Sequence, residues 1–188
     1  MEIAEESRKY ALSEIEKFGL PDRTHFDISE KKALELAEML GADKSVVRAG
    51  VALMDLKLGQ AFKEGRLKEH IGMGAEAAKE FLDGLGIDDV AKEKIINCIE
   101  AHHGTVPYKC REAEICANAD CYRFVHPKGF FVYLTVLGRR NPDFQACLDA
   151  AEKKMDEKHK ILSLDACKQE LYGHYRILKS FIAEARKL

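Results

Sequence analysis

Apolar residues recur at helical spacing along nearly the whole chain, and this periodicity constrains the architecture to packed helices. Ala4, Ala11, Ile15 and Phe18 mark a first amphipathic helix, which Gly19 and Pro21 end; Ala33, Ala37 and Leu40 mark a second, which ends at Gly41. Val46, Val47, Val51 and Met54 give a third, more completely apolar segment, as expected at the centre of a helical domain. Ala75, Ala78, Leu82 and Leu85 carry the pattern to Gly86, and Ile95, Ile99 and His102 continue it. Phe144, Leu148, Ala151 and Met155 make a further helix, and Leu171, Tyr175, Leu178 and Ile182 the last. Only Phe130 to Val136, rich in β-branched and aromatic residues, fits a strand as well as a buried helix; we read it as helix. The fold expected is all-α, a compact multi-helix bundle.

No repeat, low-complexity tract or flexible linker divides the chain, and the nearest thing to a boundary is His126-Pro127-Lys128-Gly129. Because the later amphipathic helices need a partner surface, the organisation expected is one domain over residues 1–188, with helices 128–188 packed on the region before them. The 188 residues are 46% hydrophobic, enough for one core. Thirty basic against 32 acidic residues leave a net charge of -2, which gives no global electrostatic case for nucleic acid or an anionic membrane. No apolar run approaches the roughly 20 residues that span a bilayer, and the acidic start Met1-Glu2-Ile3-Ala4-Glu5-Glu6 is unlike a signal peptide, so the expected location is the cytoplasm. In a chain with a full core, six cysteines read as reduced thiols; Cys98, Cys116, Cys147 and Cys167 are expected in the core, and Cys110, Cys116 and Cys121 match no common zinc spacing.

Polar residues set into this apolar pattern are the candidates for chemistry. Asp55 sits in the most apolar helix of the chain, beside Leu53, Met54 and Leu56, where a carboxylate needs a counter-charge, hydrogen bonds or a metal. Lys57 is too near in sequence to share its helical face, and metal is the preferred partner. His25 precedes the second helix, and His70 opens a glycine-bearing segment where it can lean into a cleft. His102 and His103 lie three and four positions after Ile99, so at least one points inward; Asp120 lies in a small, apolar turn of helix. Singly, each has a plainer structural reading as a cap, a surface histidine or a buried hydrogen-bonded acid. Together, imidazoles and carboxylates suit a hard or borderline divalent ion such as Mn, Fe, Co, Zn or Mg, able to generate hydroxide from water near neutral pH.

The order and spacing of these residues, over Thr24-His25-Phe26, Leu53-Met54-Asp55-Leu56, His70-Ile71-Gly72-Met73-Gly74, Glu100-Ala101-His102-His103 and Ala117-Asn118-Ala119-Asp120, resemble the HD superfamily of metal-dependent phosphohydrolases. The resemblance spans residues 24–120, within a motif-bearing region 24–125, and implies an HD-domain-like bundle. It further implies metal ligation by His25, Asp55, His70, His102, His103 and Asp120, with Asp55 and His70 acting in catalysis. The superfamily's His-Asp pair reads Met54-Asp55 here, and a thioether is a soft, neutral substitute for imidazole. In the superfamily's usual arrangement one ion takes the first His, both residues of the pair and the last Asp, so this chain would keep His25, Asp55 and Asp120 for it, with a second ion on His70 and His102. The implied activity is metal-activated hydrolysis of a small-molecule phosphate ester or nucleotide, with Arg23, Lys57, Lys109 and Arg111 as candidates to neutralise phosphate. The alternative is a domain without turnover that binds phosphate or nucleotide or regulates. The last helix is also long enough to offer a surface for a homo-oligomer, although such a stripe is more often core.

Overall fold

The computed structural model describes residues 3–187, and no strand occurs among them. The chain runs α1 (Ile3–Phe18), α2 (Arg23–Leu40), α3 (Lys44–Leu53) and α4 (Leu58–Lys63), then a 3-10 turn at Leu67–Glu69. It continues through α5 (His70–Leu85), α6 (Asp89–Ala101), α7 (Arg111–Val125), α8 (Pro127–Gly138), α9 (Phe144–Ile161) and α10 (Asp165–Ala185). Several boundaries are set by local chemistry. The Asp22 side chain caps α2 by accepting from the amide of Thr24, Asp43 caps α3 and Asp88 caps α6, while Gly41 and Gly86 close α2 and α5 in the left-handed conformation. Phe130 to Val136 is helical, within α8, which starts with Pro127 at its first turn and the His126 side chain as cap.

The centre of the bundle is α7, not the third helix as the apolar run 46–54 suggests. All of α7 is buried except Arg111 and Glu114, and α2, α3, α6, α8, α9 and α10 all pack against it. Its small residues Ala113, Cys116, Ala117, Ala119 and Cys121 let those neighbours approach closely. α3 is also well buried and lies across α6 at Gly50, where an added Cβ would fall 2.6 Å from the Cys98 Cβ. This close crossing brings the end of α3 beside the end of α6. α3 stops at Leu53, so Met54 is its C-cap and Asp55 stands on the turn into α4, where it is not held on a helix face. Cys98, Cys116, Cys147 and Cys167 are buried free thiols, as is Cys121.

Candidate functional site

A cavity of about 280 Å³ opens where the start of α2, the α3–α4 turn, the start of α5, α7 and α9 converge. Its wall includes His25, Asp55, His70, His103, Asp120 and Arg123. His102 lies directly behind, fully buried, with its ring centroid 4.3 Å from that of His103.

Two of the histidines share one arrangement. His70 is the first residue of α5 and its Nδ1 lies 2.7 Å from the carbonyl oxygen of Leu67; His102 caps α6 and its Nδ1 lies 2.7 Å from the carbonyl oxygen of Ile99. A carbonyl only accepts, so each Nδ1 carries the proton and each Nε2 offers a lone pair. Both Nε2 atoms are buried without a hydrogen-bond partner, and they face Asp55 Oδ1 at 3.8 Å and 3.6 Å, beyond hydrogen-bond reach. His70, His102 and His103 can each present a nitrogen within 4.8 Å of the other two, the one such metal-capable group among the described residues. Burial lowers the pKa of His70, and burial followed by the neighbouring His102 and Lys158 pushes His103 down to about 2. Both rings are therefore neutral near pH 7, the form that binds metal.

The carboxylates have other partners. Arg123 Nη1 donates to Asp55 Oδ2 and, at 2.8 Å, to Asp120 Oδ1, while Lys158 Nζ lies 2.5 Å from Asp120 Oδ2. Burial pushes both carboxyls up, but neighbouring groups outweigh it: the Arg123 guanidinium, with the adjacent His102 and His70 rings adding to it, holds Asp55 well below the usual carboxylate range, and Lys158 and Arg123 do the same for Asp120. The same two acids raise the pKa of Arg123 against the effect of its burial. Asp55 thus has two functions, with Oδ2 bound to a guanidinium and Oδ1 turned toward the histidines.

Of the expected metal ligands, His70, His102 and His103 come together with Asp55 at their edge. Asp120 is engaged by two cations instead. His25, in the first turn of α2, uses Nε2 to donate to the carbonyl of Gly129 at 2.8 Å, and its ring packs near Phe124. Gly129 is needed there, because an added Cβ would lie 2.7 Å from the Tyr122 carbonyl oxygen. His25 therefore latches the junction of α7 and α8. None of the four proposed phosphate-binding side chains lines the cavity. Lys57 turns away from Asp55 to pair with Glu14 at 2.8 Å, Arg23 pairs with Asp27 on the surface, and Arg111 donates to the Leu40 carbonyl. Lys109 belongs to the loop pinned to Asn97 through its backbone amide. The basic residues that do line the cavity are Arg123, Arg140, Lys154 and Lys158. Sequence reasoning passed over all four, though Arg123 is one helical turn from Asp120 and Lys158 falls on the apolar stripe of α9.

His25 also makes acid stability a test of the site. Burial, followed by the charge of Arg123, lowers its pKa from 6.5 to about 4. The unfolded ring takes up a proton near pH 6.5 that the folded ring refuses until about pH 4, so stability is full above 6.5 and falls as pH drops through that window. The loss is about 3 kcal/mol for this one group. His25→Gln, which keeps a donor for Gly129, is expected to make urea-measured stability less steep between those pH values by about one proton. An unchanged slope would contradict this.

No family model matches the chain. Over 92 residues it is 34% identical to Ribonuclease Y of Finegoldia magna, which is 49% of this chain but only 16% of that protein. Three solved structures share the fold. A predicted HD superfamily hydrolase from an uncultured Thermotogales bacterium matches with a TM-score of 0.68 at 15% identity, over 97% of this chain and 91% of its own. A protein of Lactobacillus plantarum matches at 0.76 and 14%, over 98% and 95%, and Bacillus subtilis YpgQ at 0.69 and 16%, over 98% and 94%. The chain thus has an all-helical, HD-domain-like fold.

Proposed function

We propose that the protein is a cytoplasmic metal-dependent phosphohydrolase that holds one divalent ion on His70, His102 and His103 beside Asp55. The observation carrying this reading is the pair of buried Nε2 lone pairs of His70 and His102, each oriented by a backbone carbonyl and each left without a partner. Burying such nitrogens without a partner is costly, and fixing the opposite ring nitrogen is how proteins orient imidazole ligands. A bound ion of the Mn, Fe, Co, Zn or Mg kind would polarise a phosphoryl oxygen and supply a hydrolytic nucleophile near neutral pH.

The chain's own residues supply the rest. Lys154 and Arg140 place positive charge on the cavity wall, where they neutralise a phosphate group. Phe124, Tyr133 and Phe62 make an apolar side that excludes water from the ester, and the Phe124 ring is fixed at 5.1 Å from Tyr133. A cavity of about 280 Å³ suits a small phosphate ester or a compact nucleotide. The name Ribonuclease Y adds phosphodiesters to the classes worth assaying.

A second reading, binding without turnover, is favoured by Met54 in place of a ligand and by cations on both acids. The test is turnover of phosphomonoesters, phosphodiesters and nucleotides by chelator-treated protein resupplied with Mn, Co, Fe, Zn or Mg. Activity that depends on added metal and disappears in His70→Gln is the expected result. Metal uptake without turnover on any ester would support the binding reading instead.

A further inference from the structure

Asp55 and Asp120 are buried carboxylates, 7% and 1% exposed, and the two groups that neutralise them are buried as deeply, Arg123 at 4% and Lys158 at 0%. Arg123 reaches both acids from α7, and Lys158 reaches Asp120 from α9. Two unit positive charges face two carboxylates, which is the formal charge a divalent ion would bring to the same pair. Met54, where the superfamily has histidine, is 2% exposed and lines a small recess with Asp55 and Arg123, to which it adds only a soft thioether.

We propose that Arg123 and Lys158 are a built-in cation pair that does the electrostatic work of a divalent ion between Asp55 and Asp120, so that this half of the site takes no metal. Arg123 Nη1 makes both carboxylate contacts and its Nε has no partner, so the guanidinium is held by the acids while bordering the cavity. The wall that a ligand's phosphoryl group meets on this side is a guanidinium, not a metal ion. The inference rests on the one-metal reading above for its metal content, and on the buried ion pairs alone for its stability effect.

The experiment uses the full chain as wild type, Asp120→Asn, Lys158→Met and the combination of the two. Thermal unfolding is followed for each, and metal content is measured after loading with manganese and desalting. Each single change leaves a buried charge uncompensated and is expected to lower the Tm by roughly 10 °C, and the combination to recover most of that loss. Asp120→Asn is expected to hold as much manganese as wild type. A combination no more stable than Lys158→Met, or one that does not fold, would overturn the proposal, as would loss of manganese in Asp120→Asn. If Lys158→Met alone does not fold, a folded combination supports the proposal. If wild type takes up no metal, the one-metal reading fails, and the unfolding comparison still decides whether the cation pair offsets the acids.

Discussion

Arg123→Met is expected to destabilise the fold by about 3–5 kcal/mol, the largest effect of any single change at the cavity. The substitution keeps most of the side-chain volume, so packing loss is small and the effect reports charge. With the guanidinium gone, Asp55 faces only the neutral rings of His70 and His102 and keeps no counter-charge, and Asp120 keeps only Lys158. Two carboxylates buried in one place then repel each other, and one must take up a proton to stay folded. For a domain whose total stability is about 5–15 kcal/mol, a loss of this size brings the unfolded state within reach of ordinary temperatures. Arg123→Lys should lose less, since it keeps the charge but cannot reach two acids from one planar group. Urea unfolding of the three proteins measures this, and a Met variant within about 1 kcal/mol of wild type would show that the acids do not need the cation.

His102→Gln is expected to weaken metal binding at least about 100-fold while leaving the fold in place. Changes to the partners that merely orient a ligand typically cost 10–100-fold, so loss of the ligand nitrogen itself should cost no less. His102 is fully buried, and a glutamine amide at that position can still donate to the Ile99 carbonyl that now accepts Nδ1–H from His102. What it cannot supply is the second ring nitrogen facing Asp55 Oδ1. Titration calorimetry with manganese on wild type and the variant gives the ratio directly. Equal affinities would mean that metal, if bound, is held elsewhere.

The two substitutions separate the halves of the site that share Asp55. One removes the charge that balances its Oδ2, the other a nitrogen facing its Oδ1. In the superfamily arrangement implied by the sequence, both halves would answer to metal; here only the histidine half is expected to do so.

Most of the helices were legible because one face of each meets solvent and leaves a stripe, as with Ala75, Ala78 and Leu82 of α5 or Leu171, Leu178 and Ile182 of α10. α7 left no such mark. Almost every residue in it is buried, so its sequence alternates small, polar and charged side chains with no exposed face to give contrast, and the centre of the bundle was assigned to α3 instead. The run from Phe130 to Val136, whose composition fits strand and helix alike, is helix as read, and Pro127 and the His126 cap that start α8 supply the signal that period alone does not.

At the site, the order of His70, His102 and His103 along the chain pointed to residues that the fold does bring together. His25 and Asp120 reached the same cavity with their polar atoms already engaged by Gly129, Arg123 and Lys158. Arg123 and Lys158 were read past because charged side chains are usually solvated. Two signals in the sequence mark them. Arg123 shares the face of Asp120 at a spacing of three in a run of small residues, and Lys158 extends the stripe Leu148, Ala151, Met155 by its next position. The phosphate-binding candidates lie off the cavity because other groups hold them: Lys57 turns to Glu14, Arg23 to Asp27 and Arg111 to the Leu40 carbonyl.

The most direct measurement is anomalous diffraction from a crystal of wild-type protein grown with manganese. The expected result is a single peak bound by nitrogens of His70, His102 and His103 beside Asp55, with Arg123 and Lys158 still paired to Asp55 and Asp120. A peak between Asp55 and Asp120, with Arg123 displaced from them, would contradict both the placement of the metal and the role of the cation pair.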